Sequence, residues 1–220
     1  MDDAYILSCV DHTLLKAAAS WIEISKLCDE ALGFKTASVC VPPNYIKRIR
    51  QAYPGLNICT VIGFPLGYDA RVVKETATRT ALDDGADEID MVVNITDVKN
   101  GSFADVTAEI AALKKLAGDH ILKVIVEACY LSREEKIALC KAVTDAGADY
   151  IKTSTGMGSG GATLEDVLLF KEHIGPSVKI KAAGGIRSRE DMVAYIEAGC
   201  SRLGTSSAVA LLSGGAAGSY

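Results

Sequence analysis

At 220 residues, with 49% hydrophobic and 23% charged side chains, the chain can bury one sizeable core and has the make-up of a soluble globular protein. A formal charge of −5 argues against a nucleic-acid surface. Seven cysteines, odd in number and without C-x-x-C spacing, suit a reducing cytosol better than a disulfide framework or a zinc site.

The acidic start Met1-Asp2-Asp3 lacks the basic region of a signal peptide, and charges such as Lys123 and Glu127 interrupt the apolar runs, so a cytoplasmic protein without a membrane span is expected. Short β-branched runs then alternate with helical patterns. Strands are predicted near Val10–His12, Ala37–Val41, Ile58–Ile62, Glu88–Val93, Ile121–Glu127, Tyr150–Thr153, Val178–Ala182 and Arg202–Gly204. Helices are predicted near Trp21–Leu32, Asn44–Ala52, Arg71–Asp83, Ala104–Ala117, Arg133–Ala146, Leu164–His173 and Arg189–Ala198, with a short one from about Ser206. Ser20, Ser132, Thr163 and Ser188 read as N-caps, and Gly33, Gly85, Gly147 and Gly199 as stop signals. Eight strands separated by helices imply an α/β protein with a parallel sheet, and the absence of G-x-G-x-x-G after the first strand favours a compact single-domain (β/α)8 TIM barrel over a dinucleotide fold. The barrel is expected over residues 1–212, with residues 213–220 as a flexible tail.

An internal repeat sharpens this. Gly85-Ala86-Asp87-Glu88-Ile89-Asp90, Gly147-Ala148-Asp149-Tyr150-Ile151-Lys152 and Gly199-Cys200-Ser201-Arg202-Leu203-Gly204 each leave a helix at glycine, turn and enter a strand. Alternate strands of such a barrel feed one interior layer, so Asp90 and Lys152 are expected inside it at similar depth.

Lys152 ends an apolar strand, where burial disfavours its charge; it reads either as a lysine paired with an acid or as an amine nucleophile. Lys181 lies in an equivalent place on the next strand. Lys179, two residues earlier, falls on the same face but towards the opposite end and reads as structural. If Lys181 approaches Lys152, the more buried amine is expected to lose its proton. Asp90 needs a partner inside its strand and reads as a counter-ion, a general acid/base, or both. Glycine-bearing loops at Gly156, Gly184-Gly185 and Gly204-Thr205-Ser206-Ser207 suit a phosphate, with Arg187 adding charge. His12, His120 and His173 form no metal-ligand pattern. Cys40 reads either as a residue lining the barrel or, more readily, as a core thiol.

With these residues the chain closely resembles the deoxyribose-phosphate aldolase family. The resemblance rests on Asp11-His12-Thr13-Leu14-Leu15, Ala37–Pro42, Val61-Ile62-Gly63-Phe64-Pro65-Leu66-Gly67, Ala86–Val93, Leu122–Glu127, Asp149–Gly156, Lys181–Arg187 and Arg202–Ser207, in order along nearly the whole chain. It implies class I aldol cleavage of 2-deoxy-D-ribose 5-phosphate without metal or cofactor. Lys152 would form the Schiff base, with Asp90 and Lys181 moving protons. Gly156, Gly184, Gly185, Gly204, Ser206 and Ser207 would bind the phosphosugar. Asp11, Cys40, Lys123 and Arg187 join the site as further candidates, as does Tyr220, which matches a proton-shuttling terminal tyrosine of some members. Some members carry a lysine directly after Ser154-Thr155-Gly156; here Met157 follows. The resemblance also implies a homodimer. A phosphosugar isomerase and a non-catalytic phosphometabolite-binding barrel are the competing readings.

Overall fold

The computed structural model describes residues 1–213. Its eight strands are β1 (Val10–Thr13), β2 (Ser38–Val41), β3 (Ile58–Ile62), β4 (Glu88–Val92), β5 (Ile121–Ile125), β6 (Tyr150–Lys152), β7 (Lys179–Ala183) and β8 (Arg202–Thr205). They pair in parallel in sequence order, and β1 also pairs with β8, closing the (β/α)8 barrel. Around it run α1 (Asp3–Ser8), α2 (Trp21–Phe34), α3 (Ile46–Ala52), α4 (Arg71–Asp83), α5 (Ile95–Lys99), α6 (Phe103–Ala117), α7 (Arg133–Asp145), α8 (Leu164–His173), α9 (Arg189–Ala198) and α10 (Ala208–Leu212).

Strand alternation divides the residues between two interiors. Val39, Ile58, Ile89, Met91, Leu122, Val124, Ile151, Ile180 and Leu203 belong to the apolar core that also takes in the helices. Each such side chain contributes about 1.5–3 kcal/mol when fully buried. Their neighbours along the strands fill the barrel: Cys40, Cys59 and Val61 form a small apolar cluster with Leu15 and Phe64, and beside it lies a set of buried charged side chains.

All four expected N-caps form. Ser20, Ser132, Thr163 and Ser188 accept from the amides of Glu23, Glu135, Asp166 and Asp191 at 3.4, 3.3, 3.1 and 3.0 Å. Gly85, Gly147 and Gly199 follow their helices with positive φ. Gly33 does not end its helix: α2 continues to Phe34 and stops on Lys35, which takes the left-handed conformation (φ 55°) while Thr36 N donates to Ala31 O. The last helix begins at Ala208 rather than Ser206, and β5 ends at Ile125 because Glu127 turns to φ 51°. The tail expected from Ser213 onward lies, apart from Ser213, outside the described residues.

Gly67, in the β3–α4 connection, has φ +77°, donates to Gly63 O at 2.7 Å, and leaves only 1.9 Å between a would-be Cβ and Val93 O. Gly67→Ala is therefore expected to destabilise by about 2–4 kcal/mol through combined strain and overpacking. In urea unfolding the midpoint should fall with the slope unchanged; an unaltered midpoint would contradict this packing.

Candidate active site

The charged barrel interior is organised around Asp90 on β4, which is fully buried. Its Oδ1 accepts from Lys123 Nζ at 2.7 Å and from Cys59 Sγ at 3.1 Å. Its Oδ2 accepts from Lys152 Nζ and Lys181 Nζ, both at 2.7 Å. The expectation that Asp90 and Lys152 face one interior layer is thus met, and Lys181 joins them from β7.

A second set of ions lies beneath. Asp11 on β1 accepts from Lys181, from Arg202 and, at 2.8 Å, from Ser38 Oγ. Glu88 lies 2.5 Å from Lys123 Nζ and accepts from both terminal nitrogens of Arg202 at 3.1 Å. Asn57 Nδ2 donates to Glu88 at 2.8 Å. Three carboxylates (Asp11, Glu88, Asp90) therefore face four cationic side chains (Lys123, Lys152, Lys181, Arg202). Lys152, at the carboxyl end of β6, has one carboxylate oxygen within ion-pair range and shares it with Lys181.

Burial alone would raise the Asp11 and Asp90 carboxyls. For Asp11 it is outweighed by Lys181, Lys123 and Arg202, and for Asp90 by Lys123, Lys152 and Lys181, so both sit below the ordinary carboxylate range. Burial would likewise lower Lys181, but Asp11 and Asp90 outweigh it and raise this ammonium, as Asp90 chiefly does for Lys123. This overturns the expectation that the more buried amine gives up its proton. Lys181 is the more buried of the two, yet it is gripped by two carboxylates.

Two groups of potential metal ligands occur among the described residues, Cys40–Cys59–Asp90 and Asp11–Cys59–Glu88. The Lys123 ammonium already stands among these donors, 3.2 Å from Cys59 Sγ, 2.7 Å from Asp90, 2.5 Å from Glu88 and 3.6 Å from Asp11. A tethered cation thus stands among all three donors of the second group and two of the first.

The remaining candidates separate by position. Gly156, Gly184 and Gly185 all have positive φ, and the β6 and β7 loops meet backbone to backbone: a Cβ on Gly184 would lie 3.2 Å from the Cα atoms of Gly156 and Gly161. Gly204 is not in that loop layer. It sits within β8, where a Cβ would come within 3.1 Å of Lys181 Cε, so it makes room for the lysine. Ser206 is half-buried and lines a cavity of about 460 Å³ with His12, Glu30 and α10. Ser207 is buried, its amide donating to Thr205 Oγ1. Arg187 is exposed, Cys40 is buried in the small apolar cluster, and Tyr220 lies outside the described residues. Lys179 stands at the amino end of β7 with its ammonium 5.7 Å from the centre of the Tyr150 ring.

Glu88 and Arg202 escaped the sequence reading. The repeat carried the signal: its sixth positions gave Asp90, Lys152 and Gly204, and its fourth positions are Glu88, Tyr150 and Arg202, two residues earlier on the same face.

Residues 5–218 match the DeoC/LacD family aldolases. The chain is 62% identical to a deoxyribose-phosphate aldolase of Clostridium botulinum (strain Alaska E43 / Type E3), covering 97% of each protein. It is 55% identical to one from Clostridioides difficile (strain 630), covering 94% of this chain and 95% of that one. The solved deoxyribose phosphate aldolase of Aeropyrum pernix, described as tetrameric, superposes with a TM-score of 0.90 at 33% identity, covering 96% and 91% of the two chains. Fold and relatives together define a (β/α)8-barrel aldolase, a carbon–carbon lyase. The chain belongs to the DeoC/LacD aldolase family.

The pH dependence of stability follows from these directions. The depressed Asp11 and Asp90 contribute stability that is present above their unfolded value, about 3.9, and is lost as pH falls through their folded values. The raised Lys123 and Lys181 contribute stability that is complete below about 10.4 and is lost as pH rises through theirs. Asp11→Asn leaves Arg202 and Lys181 short of a carboxylate and should cost about 3–5 kcal/mol. It should also shrink the stability difference between about pH 7 and about pH 3. Urea unfolding across that range measures both, and an undiminished difference would remove Asp11 from the acid response.

Proposed function

We propose that the protein is a class I, Schiff-base aldolase that reversibly cleaves 2-deoxy-D-ribose 5-phosphate into D-glyceraldehyde 3-phosphate and acetaldehyde. The observation that carries this reading is Lys152 at the carboxyl end of β6, bonded to a buried Asp90 that it shares with Lys181. The neutral amine is the reactive form.

Lys152 Nζ adds to the C1 aldehyde, and loss of water leaves an iminium. Removal of the C3 hydroxyl proton, assigned to Asp90, lets the C2–C3 bond break, and the charged Lys181 is assigned the return of a proton to the enamine. The bonding electrons move into the iminium to form an enamine, and C3 departs as the aldehyde of glyceraldehyde 3-phosphate. Protonation of the enamine at C2 and hydrolysis release acetaldehyde and restore the amine. Lys181 is suited to proton donation because its carboxylates keep it charged. Asp11 and Lys123 hold Lys181 and Asp90 in place. The phosphate is assigned to the amides of Gly156, Gly184 and Gly185 with Ser206 and Ser207, and Arg187 adds charge at the rim. Remote phosphate binding then helps position the reacting carbons.

We assign the protein to the cytoplasm, a reading supported by its unpaired cysteines. Among the described residues no helix is long and apolar enough to cross a membrane. A homodimer is the assembly proposed, supported by the exposed apolar side chains of Leu66, Tyr68, Val72 and Val73.

Incubation with 2-deoxyribose 5-phosphate and sodium borohydride, followed by peptide mass spectrometry, tests the chemistry. A reduced adduct is expected on Lys152. An adduct confined to Lys181 or Lys179, or none despite bound substrate, would sink the assignment. Lys152→Ala should lose on the order of 10⁴-fold or more in kcat, and Asp90→Asn about 10²–10⁴-fold.

A further inference from the structure

Glu127 is one of two non-glycine residues with positive φ among the described residues, and it lies at the exit of β5 beside Lys152 and the β6 loop. Its left-handed backbone is a local interruption of the ladder. Val126 N donates to Lys152 O and Ala128 N to Thr153 O, so β5 advances two residues while β6 advances one. The turn swings the Glu127 side chain across β6. Its carboxylate accepts from Thr155 N at 3.2 and 3.3 Å and from Thr155 Oγ1. Thr155 Oγ1 in turn accepts from Met157 N at 2.9 Å. Glu127 also lies directly under the loop, where a Cβ on Gly158 would come within 3.1 Å of its Cδ and Oε1.

This carboxylate is 2% exposed and has no ion-pair partner within 4 Å among the described residues. Burial raises it above the ordinary range, and the Thr155 hydrogen bonds and the charge of Lys152 offset this only in part. Glycine at this position would remove the backbone strain, and an apolar side chain would remove the desolvation cost. What neither could do is hold Thr155, Met157 and Gly158 in one turn.

We propose that Glu127 is a positioning residue that acts through Thr155 to set the residue 155–158 turn for the substrate phosphate, and so sets the enzyme's preference for phosphorylated over unphosphorylated sugar. The inference rests on the aldolase reading and on the assignment of the phosphate to Gly156 and its neighbours. It assigns to a side chain the task of shaping an anion cradle made of backbone.

The test compares kcat/KM for 2-deoxyribose 5-phosphate and for 2-deoxyribose in the wild type, E127G, E127Q and T155V. E127G removes the carboxylate while easing the backbone, so a folding failure is not built into it. Its loss on the phosphorylated sugar should exceed its loss on 2-deoxyribose by about tenfold or more, mainly through KM. E127Q keeps an acceptor for Thr155 and should hold the preference to within about threefold of the wild type. T155V should match E127G, and the double variant should add little to either. Equal losses on both sugars, or an unchanged preference in E127G, would overturn the proposal while leaving the aldolase reading intact. A wild type that cleaves neither sugar and forms no borohydride adduct would overturn both.

Discussion

The interior of this barrel depends on one constraint: no charge inside it can stand without a counter-charge. Removing one partner from a buried ion pair typically costs about 3–5 kcal/mol, because the other is left uncompensated. Asp90 meets that constraint for three lysines at once, with Lys123 on one oxygen and Lys152 and Lys181 on the other. The deeper ions follow from it. Lys181 reaches Asp11, Lys123 reaches Glu88, and Arg202 bridges those two acids, so the network closes through side chains from six strands. Its excess of one cation sits where Lys152 has a single shared carboxylate oxygen. The lower layer thereby fixes the charge state of Lys181 and leaves Lys152 as the least compensated amine.

Packing separates two tasks in the same way. Strand side chains supply the charged groups, and Gly204 leaves the space that Lys181 fills. Above them, loops after β6 and β7 touch through glycine backbone, and Ala162 N donates to both Ala183 O and Gly184 O. A Cβ on Gly161 would lie 2.3 Å from Gly184 O, so no larger residue fits without moving the loops apart. The two loops are thus packed backbone to backbone, and Glu127 bonds the β6 loop from the end of β5.

Most of the fold was legible because burial of a parallel sheet demands a simple pattern, apolar runs separated by amphipathic helices with caps. α1 and α5 were not legible. They have six and five residues, too few for a 3.6-residue period to show, and each relies on one cap, Asp2 or Asn94. Gly33 misled because a positive-φ position follows from where the chain must turn into β2, and that fell on Lys35. In the site, the repeat predicted that Asp90 and Lys152 would face inward at similar depth. The protonation of Lys181 was not readable, since it depends on Asp11, 170 residues away in sequence. Glu127 looked like an interruption of an apolar run, because nothing local to it marks the contact with Thr155.

The ionic arrangement also bears on why an imine suits this site. Protonated Lys152 and the iminium formed from it both carry one positive charge at nearly the same place. Asp90, already oriented by Lys123 and Cys59, therefore faces the same charge in the resting pair and in the intermediate, and needs no reorganisation between them. Preorganised charge of this kind favours the iminium over the neutral carbinolamine that precedes it. In the proposed reaction, the same Asp90 that makes a buried lysine tolerable in the resting enzyme thus lowers the energy of the electron sink through which the carbon–carbon bond breaks.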